Sequence, residues 1–153
     1  MSDEERLTQA VVDTNILIRG TLSSSGASAL VVDAILRRRC LLITSRTQLS
    51  ELHRVLSRPR FVHRYGITPD RRNRLIARLY TLSMIVRPRG HLAICRDASD
   101  DYLIEMALLG KASYLVSEDN DLHDDTDIVE LLRQYEVRLV RVGAFAQTLT
   151  ATS

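Results

Sequence analysis

Residues 9–15 read QAVVDTN. A short apolar run, Ala10-Val11-Val12, leads straight into a carboxylate and a Thr-Asn pair. The run is too short for a helix and fits a buried strand over 9–13. Asp13 then stands at the strand's carboxyl end. Leaving a charge at the edge of a core is costly unless it has a task. Two tasks suit it: capping a following helix, or belonging to a site.

Working outward, the same alternation recurs. ASALVVDAILRR (27–38) has apolar positions at Leu30, Val31, Ala34 and Ile35 with arginines outside, which predicts a helix. CLLIT (40–44) is a second strand. Ser45 and Gln48 match a capping box for a helix burying Leu49, Leu52, Val55 and Leu56. Pro59 ends that helix or starts a new turn. A further helix is expected from Pro69 to Leu82, a strand over 83–87, and a helix over 100–109 capped by Ser99 and stopped by Gly110. A strand over 112–117, acidic turns, a short helix near 127–134, a strand over 137–142 and a helix over 143–149 complete the chain.

Short apolar strands alternating with helices predict an α/β fold, a three-layer α/β/α sandwich around a central parallel sheet. No repeat, low-complexity tract or linker divides the 153 residues, so one domain over 1–153 with short flexible ends is expected. Ligands of such sheets bind beyond the carboxyl ends of the strands.

Composition narrows the function. No apolar run approaches the roughly 20 residues that span a bilayer, and the acidic, polar start is not a signal peptide. Cys40 and Cys95 read as two reduced core thiols of a cytoplasmic protein. Net charge is only +2, but eight arginines and one acid lie between Arg54 and Arg78, whereas eleven acids and one base lie between Asp97 and Glu130. The basic stretch can attract phosphates and the acidic one a hard cation; each is also compatible with a solvated helix face. There is no glycine-rich phosphate loop, which argues against a nucleotide-binding doubly wound domain.

The acids fall into a pattern. Asp119 follows the strand ASYLVS as Asp13 follows the first one. If those strands are neighbours, both carboxylates face one crevice, although each also reads as a cap. At 100° per residue Asp100 lines up with Leu103, Ile104 and Ala107 on the inward side of its helix, with Asp101 at the edge of that face. Asp97 precedes that helix. Glu51 flanks the buried stripe of its own helix, where an exposed glutamate is the plainer reading. Carboxylates crowded around one crevice raise each other's pKa unless a cation relieves them. Oxygen-only ligands favour magnesium or manganese; the histidines have no zinc-ligand spacing.

Together these stretches resemble a known family. VVDTNILIRG (11–20), TSRTQLSELHRVLSRPRF (44–61), CRDASDDYLIEMALLGKASYLVSEDNDL (95–122) and VRLVRVGAFAQTL (137–149) are similar, in order, to the PIN domain of metal-dependent nucleases, and most to the VapC-like toxin components of toxin–antitoxin systems. The resemblance implies one site built from the acids of four motifs: Asp13 after the first strand, Glu51 from the helix of TSRTQLSEL, Asp97 and Asp100 from the R-D-P-x-D motif, and Asp119 from T-G-D-x-D-L, with Asp121 nearby. Asn15 and Ser117 fall where the family has residues orienting the carboxylates. Asp13, Glu51, Asp100 and Asp119 would be catalytic; Asp13, Asp97, Asp100 and Asp119 would hold Mg²⁺ or Mn²⁺. Ala98 replaces the motif's proline, Ser117 its threonine and Glu118 its glycine; Asp101 stays in reserve as an alternative to Asp100. The resemblance implies an endoribonuclease acting on single-stranded RNA regions, with a cognate antitoxin and a homodimer as partners and no membrane. The alternative is a non-catalytic module of the same fold that binds RNA or a protein.

Overall fold

The computed structural model describes residues 7–90, 92–93, 95 and 98–151. Five strands form one sheet: β1 (Thr8–Val12), β2 (Cys40–Thr44), β3 (Met84–Ile85), β4 (Tyr114–Val116) and β5 (Arg138–Val140), in the order β3-β2-β1-β4-β5 and all parallel. The helices are α1 (Thr14–Leu22), α2 (Ala27–Leu36), α3 (Arg46–Leu56), α4 (Pro59–Tyr65), α5 (Pro69–Leu82), α6 (Ala98–Leu109), α7 (Asn120–His123), α8 (Thr126–Gln134) and α9 (Val142–Ala151). This is the expected α/β/α sandwich.

The order explains the layers. From β1 the chain first steps outward to β2 and β3, then crosses back to β4 and β5 on the other side. Right-handed crossovers in opposite directions put their helices on opposite faces. Alternate residues of each strand supply the two cores. Ala10, Val12, Leu42 and Val116 pack with α1, α2, α3, α5 and α9. Val11, Ile43 and Leu115 pack with α6, α7 and α8.

Four local readings are corrected. No element was expected over 14–22, where the structure has α1. Its apolar face is short, Ile16, Leu17 and Gly20, and lies among polar and turn-forming types. Ser99 does not precede its helix: α6 starts at Ala98, so Ser99 sits in the first turn. The capping box is half made. Ser45 accepts the Gln48 N–H at 3.1 Å, but the Gln48 side chain turns toward β1 instead. Leu30 is exposed, and Val32 takes its place in the core, because α2 is turned to face both α1 and α9. β2 spans the expected 40–44, whereas β3, β4 and β5 are shorter than expected. Predicted strand 83–87 reduces to the two residues of β3, an edge strand paired only with β2.

Gly20 shows how closely α1 lies on α2. A Cβ there would stand 2.3 Å from the Ser28 carbonyl oxygen and 2.5 Å from Val32 Cγ2. Gly143, in the first turn of α9, has open space. Gly20→Ala is therefore expected to lose about 1–3 kcal/mol in urea unfolding through overpacking, although alanine is the better helix former. Gly143→Ala is expected to be neutral or to gain up to about 1 kcal/mol. Equal effects of the two substitutions would contradict the tight α1–α2 contact.

Candidate active site

The sheet order reverses direction between β1 and β4, and a crevice opens beyond their carboxyl ends, as the rule for open parallel sheets requires. It has a volume of about 370 Å³ and is lined by Asp13, Thr14, Asn15, Ile16, Arg19, Glu51, Ser99, Asp100, Tyr102, Leu103, Glu118 and Asp119. Four of the expected residues, Asp13, Glu51, Asp100 and Asp119, thus share one crevice although they come from four separate elements. Asp97 lies outside the described residues.

Asp13 is both cap and crevice residue. Its backbone N–H continues the ladder by donating to the Val116 carbonyl at 2.9 Å. Its Oδ1 accepts the Asn15 N–H at 3.1 Å, which caps α1. Its Oδ2 accepts the buried Ser117 hydroxyl at 3.2 Å, and that same hydroxyl accepts the Asp119 N–H at 3.1 Å. One hydroxyl thus ties the end of β1 to the loop after β4. Asp119 caps α7 by accepting the Asp121 N–H at 2.9 Å. Asp121 does not line this crevice.

Glu51 stands on the exposed side of α3, where the helix passes the crevice. The register of α3 is fixed from below. Gln48 is buried and donates to the Val12 carbonyl at 2.7 Å and to the Thr14 hydroxyl at 3.3 Å, while accepting from Thr44. Ser45 meets the Tyr102 hydroxyl of α6, joining the two helices that flank the site from opposite faces of the sheet.

Asp100 and Asp101 are both buried, at 5% and 7% exposure, so burial does not separate them. Direction does. Asp100 lines the crevice. Asp101 turns away and accepts the Cys95 N–H at 2.8 Å, which anchors the chain entering α6. Burial first, and then the neighbouring Asp101 carboxylate, push the Cys95 thiol up to about 12, so this half-buried thiol stays protonated and offers neither nucleophile nor soft ligand. Cys40 is a core thiol as expected; Cys95 lies nearer the surface.

Glu118, standing where the PIN motif has glycine, is tied down. Its Oε1 accepts the Val142 N–H at 2.6 Å at the start of α9, and Arg141 lies 3.7 Å from Oε2. Arg141 also donates to the Glu118 carbonyl and to Asn120 Oδ1, at 3.0 and 2.6 Å. The crevice contains an arginine that the sequence gave no reason to single out. Arg19 stands one turn along α1 from Asn15, whereas none of the eight arginines between 54 and 78 lines the crevice. Those sit on α3, α4 and α5 and the turns between them, and Arg71 and Arg72 line a separate hollow against α1 and α2.

A model of the PIN domain family matches residues 9–121. The chain belongs to the PIN domain family. PIN domains are nucleases as a family, so the chain is a member of a nuclease family. An uncharacterised protein of Methanocaldococcus jannaschii is 25% identical over 114 residues, which are 74% of this chain and 72% of that relative. No solved structure gives a significant match. Among the described residues no helix is long and apolar enough to cross a membrane.

The donor set of this PIN crevice is oxygen-only, which suits a hard divalent cation. None of Asp13, Glu51 and Asp119 is in ion-pairing distance of a basic side chain among the described residues. As they stand, however, no three His, Cys, Asp or Glu side chains among the described residues are set to hold an ion.

The Ser117 hydroxyl is the link on which the two strand ends depend. Ser117→Ala leaves Asp13 and the Asp119 N–H each short of a partner. It is expected to cost about 1–3 kcal/mol in urea unfolding, while Ser117→Thr, which keeps the hydroxyl, costs less. Equal losses for the two variants would mean that the hydroxyl bridge contributes nothing.

Proposed function

We propose that this PIN domain is a Mg²⁺- or Mn²⁺-dependent endoribonuclease that hydrolyses phosphodiester bonds in unpaired RNA, and that it is the toxin of a type II toxin–antitoxin pair. The observation that carries the reading is the meeting of Asp13, Glu51, Asp100 and Asp119 in one crevice at the reversal of strand order. A crevice of carboxylates repels an RNA backbone, so a substrate of this family needs a cation there. Bound magnesium or manganese would supply that charge and lower the pKa of a coordinated water. Asp13, Asp100 and Asp119, with Asp97 ahead of α6, would hold it.

The remaining steps belong to the chain's own groups. Glu51 is exposed on the opposite wall from Asp100 and is suited to orient the attacking water and take its proton. Ser117 and the Asn15 N–H hold the Asp13 carboxylate in one orientation, so that it needs no rearrangement during the reaction. Recognition through backbone phosphates gives little sequence reading. Unpaired RNA fits better than duplex because its backbone can bend into the crevice. A cognate antitoxin that covers the crevice and a homodimer are part of the same reading, by analogy with the family.

The alternative is a PIN-fold module that binds RNA or a protein partner without cleaving it. The two are separated by incubating a single-stranded RNA panel with Mg²⁺, Mn²⁺ or EDTA. The nuclease reading expects cleavage with either ion and none with EDTA. Asp13→Asn is expected to lower the rate by roughly 10²-fold or more, the scale of losing one organised polar group at such a site. Undiminished cleavage by that variant would rule out Asp13 as a catalytic ligand. RNA binding without cleavage under all three conditions would support the module.

A further inference from the structure

Among the described residues Arg19 is the one arginine lining the acidic crevice. It stands in the last turn of α1, six residues beyond Asp13, an advance of about 9 Å along the helix axis. Its position is firm: Asp13 caps the start of α1, and the close approach at Gly20 seats the helix on α2. The Arg19 side chain makes no hydrogen bond, ion pair or ring contact among the described residues, while its backbone carbonyl accepts the Ser23 N–H at 2.9 Å.

That is unexpected for a guanidinium sharing a crevice with five carboxylates. Elsewhere on the surface arginines close on nearby acids: Arg37 on Asp33 and Arg133 on Glu130, each at 3.0 Å. Asp13 and Asp119 are instead engaged by backbone N–H groups and by Ser117, and Glu118 by Val142 and Arg141. Arg19 is exposed, so its donors are open to a ligand. A planar guanidinium matches the two free oxygens of a phosphate.

We infer that Arg19 binds the RNA phosphate next to the scissile one, so that the strand is held at two points, by the acid-bound cation and by this guanidinium. The inference rests on the nuclease reading above. With its backbone about 9 Å along α1 from Asp13, Arg19 is assigned a substrate-binding role and not one on the bond that breaks. The plainer role for a basic residue in a last helical turn is to complement the helix dipole. That role would affect stability but not RNA binding.

The test is fluorescence anisotropy with a labelled 12-nucleotide single-stranded RNA. It is run across a salt series in Ca²⁺ and again in EDTA, with the full chain and with R19A, R19K and R37A. In Ca²⁺, R19A is expected to weaken binding about 3- to 10-fold and to flatten the dependence of log K on log salt by about 0.7, the loss of one phosphate contact on a single strand. R19K should restore the slope and part of the affinity; R37A should change neither. Unchanged affinity and slope in R19A, or a fall in melting temperature with an unchanged slope, would overturn the inference. If R19A weakens binding while the chain cleaves no RNA with any ion, the phosphate contact stands and the nuclease reading fails. If the chain cleaves RNA and R19A binds as well as wild type, only the Arg19 inference fails. If the unsubstituted chain binds no RNA under either condition, both fall.

Discussion

The pairing of β1 with β4 is the constraint on which the rest depends. Ala10, Val11 and Val12 lie against Tyr114, Leu115 and Val116 in parallel register, and the Asp13 N–H extends the ladder to the Val116 carbonyl. A parallel pair brings two carboxyl ends to the same edge. Because the chain leaves β1 toward β2 on one side and reaches β4 on the other, no helix covers the gap between those ends. The two acids that follow the strands therefore meet over open space. The Ser117 hydroxyl then fixes their relation, accepting from one segment and donating to the other. A one-residue slip in this register would turn Val11 and Leu115 out of their core and carry Asp13 off the edge.

The supporting polar groups are buried and committed to the backbone. Gln48 is in effect fully buried and spends its amide on the Val12 carbonyl and the Thr14 hydroxyl, so α3 cannot rotate without stranding those groups. Ser45 and Tyr102 join α3 to α6 across the sheet edge. Glu118 joins the β4 loop to the start of α9. Each carboxylate that faces the crevice thus hangs from an element anchored by a neighbour that does not face it. This is how a site assembled from four distant stretches of sequence can hold its form without a local motif of its own.

Much of this was legible in the sequence. Valine and alanine runs ending in Asp13 and in the SEDND loop mark two strand ends. The helical phase of Asp100 against Leu103, Ile104 and Ala107 foretells its inward direction. What could not be read was of another kind. Asp101 is as buried as Asp100, and only the loop that folds back to its carboxylate distinguishes them. Glu118 lines the crevice, but its engagement with Val142 and Arg141 depends on the start of α9, more than 20 residues away in sequence. Arg19 lies in a stretch whose short apolar face hid the helix altogether, and composition drew attention to the arginines of 54–78 instead. Contacts between elements decide these cases, and periodicity within one element does not carry them.

Under the nuclease reading, Asp13, Asp100 and Asp119 would hold a divalent cation in the crevice. The most direct measurement is anomalous diffraction at the manganese edge from crystals equilibrated with millimolar MnCl₂. The account predicts an anomalous peak between the carboxylates of Asp13, Asp100 and Asp119. Manganese bound only elsewhere, or absent from the crevice at that concentration, would contradict it.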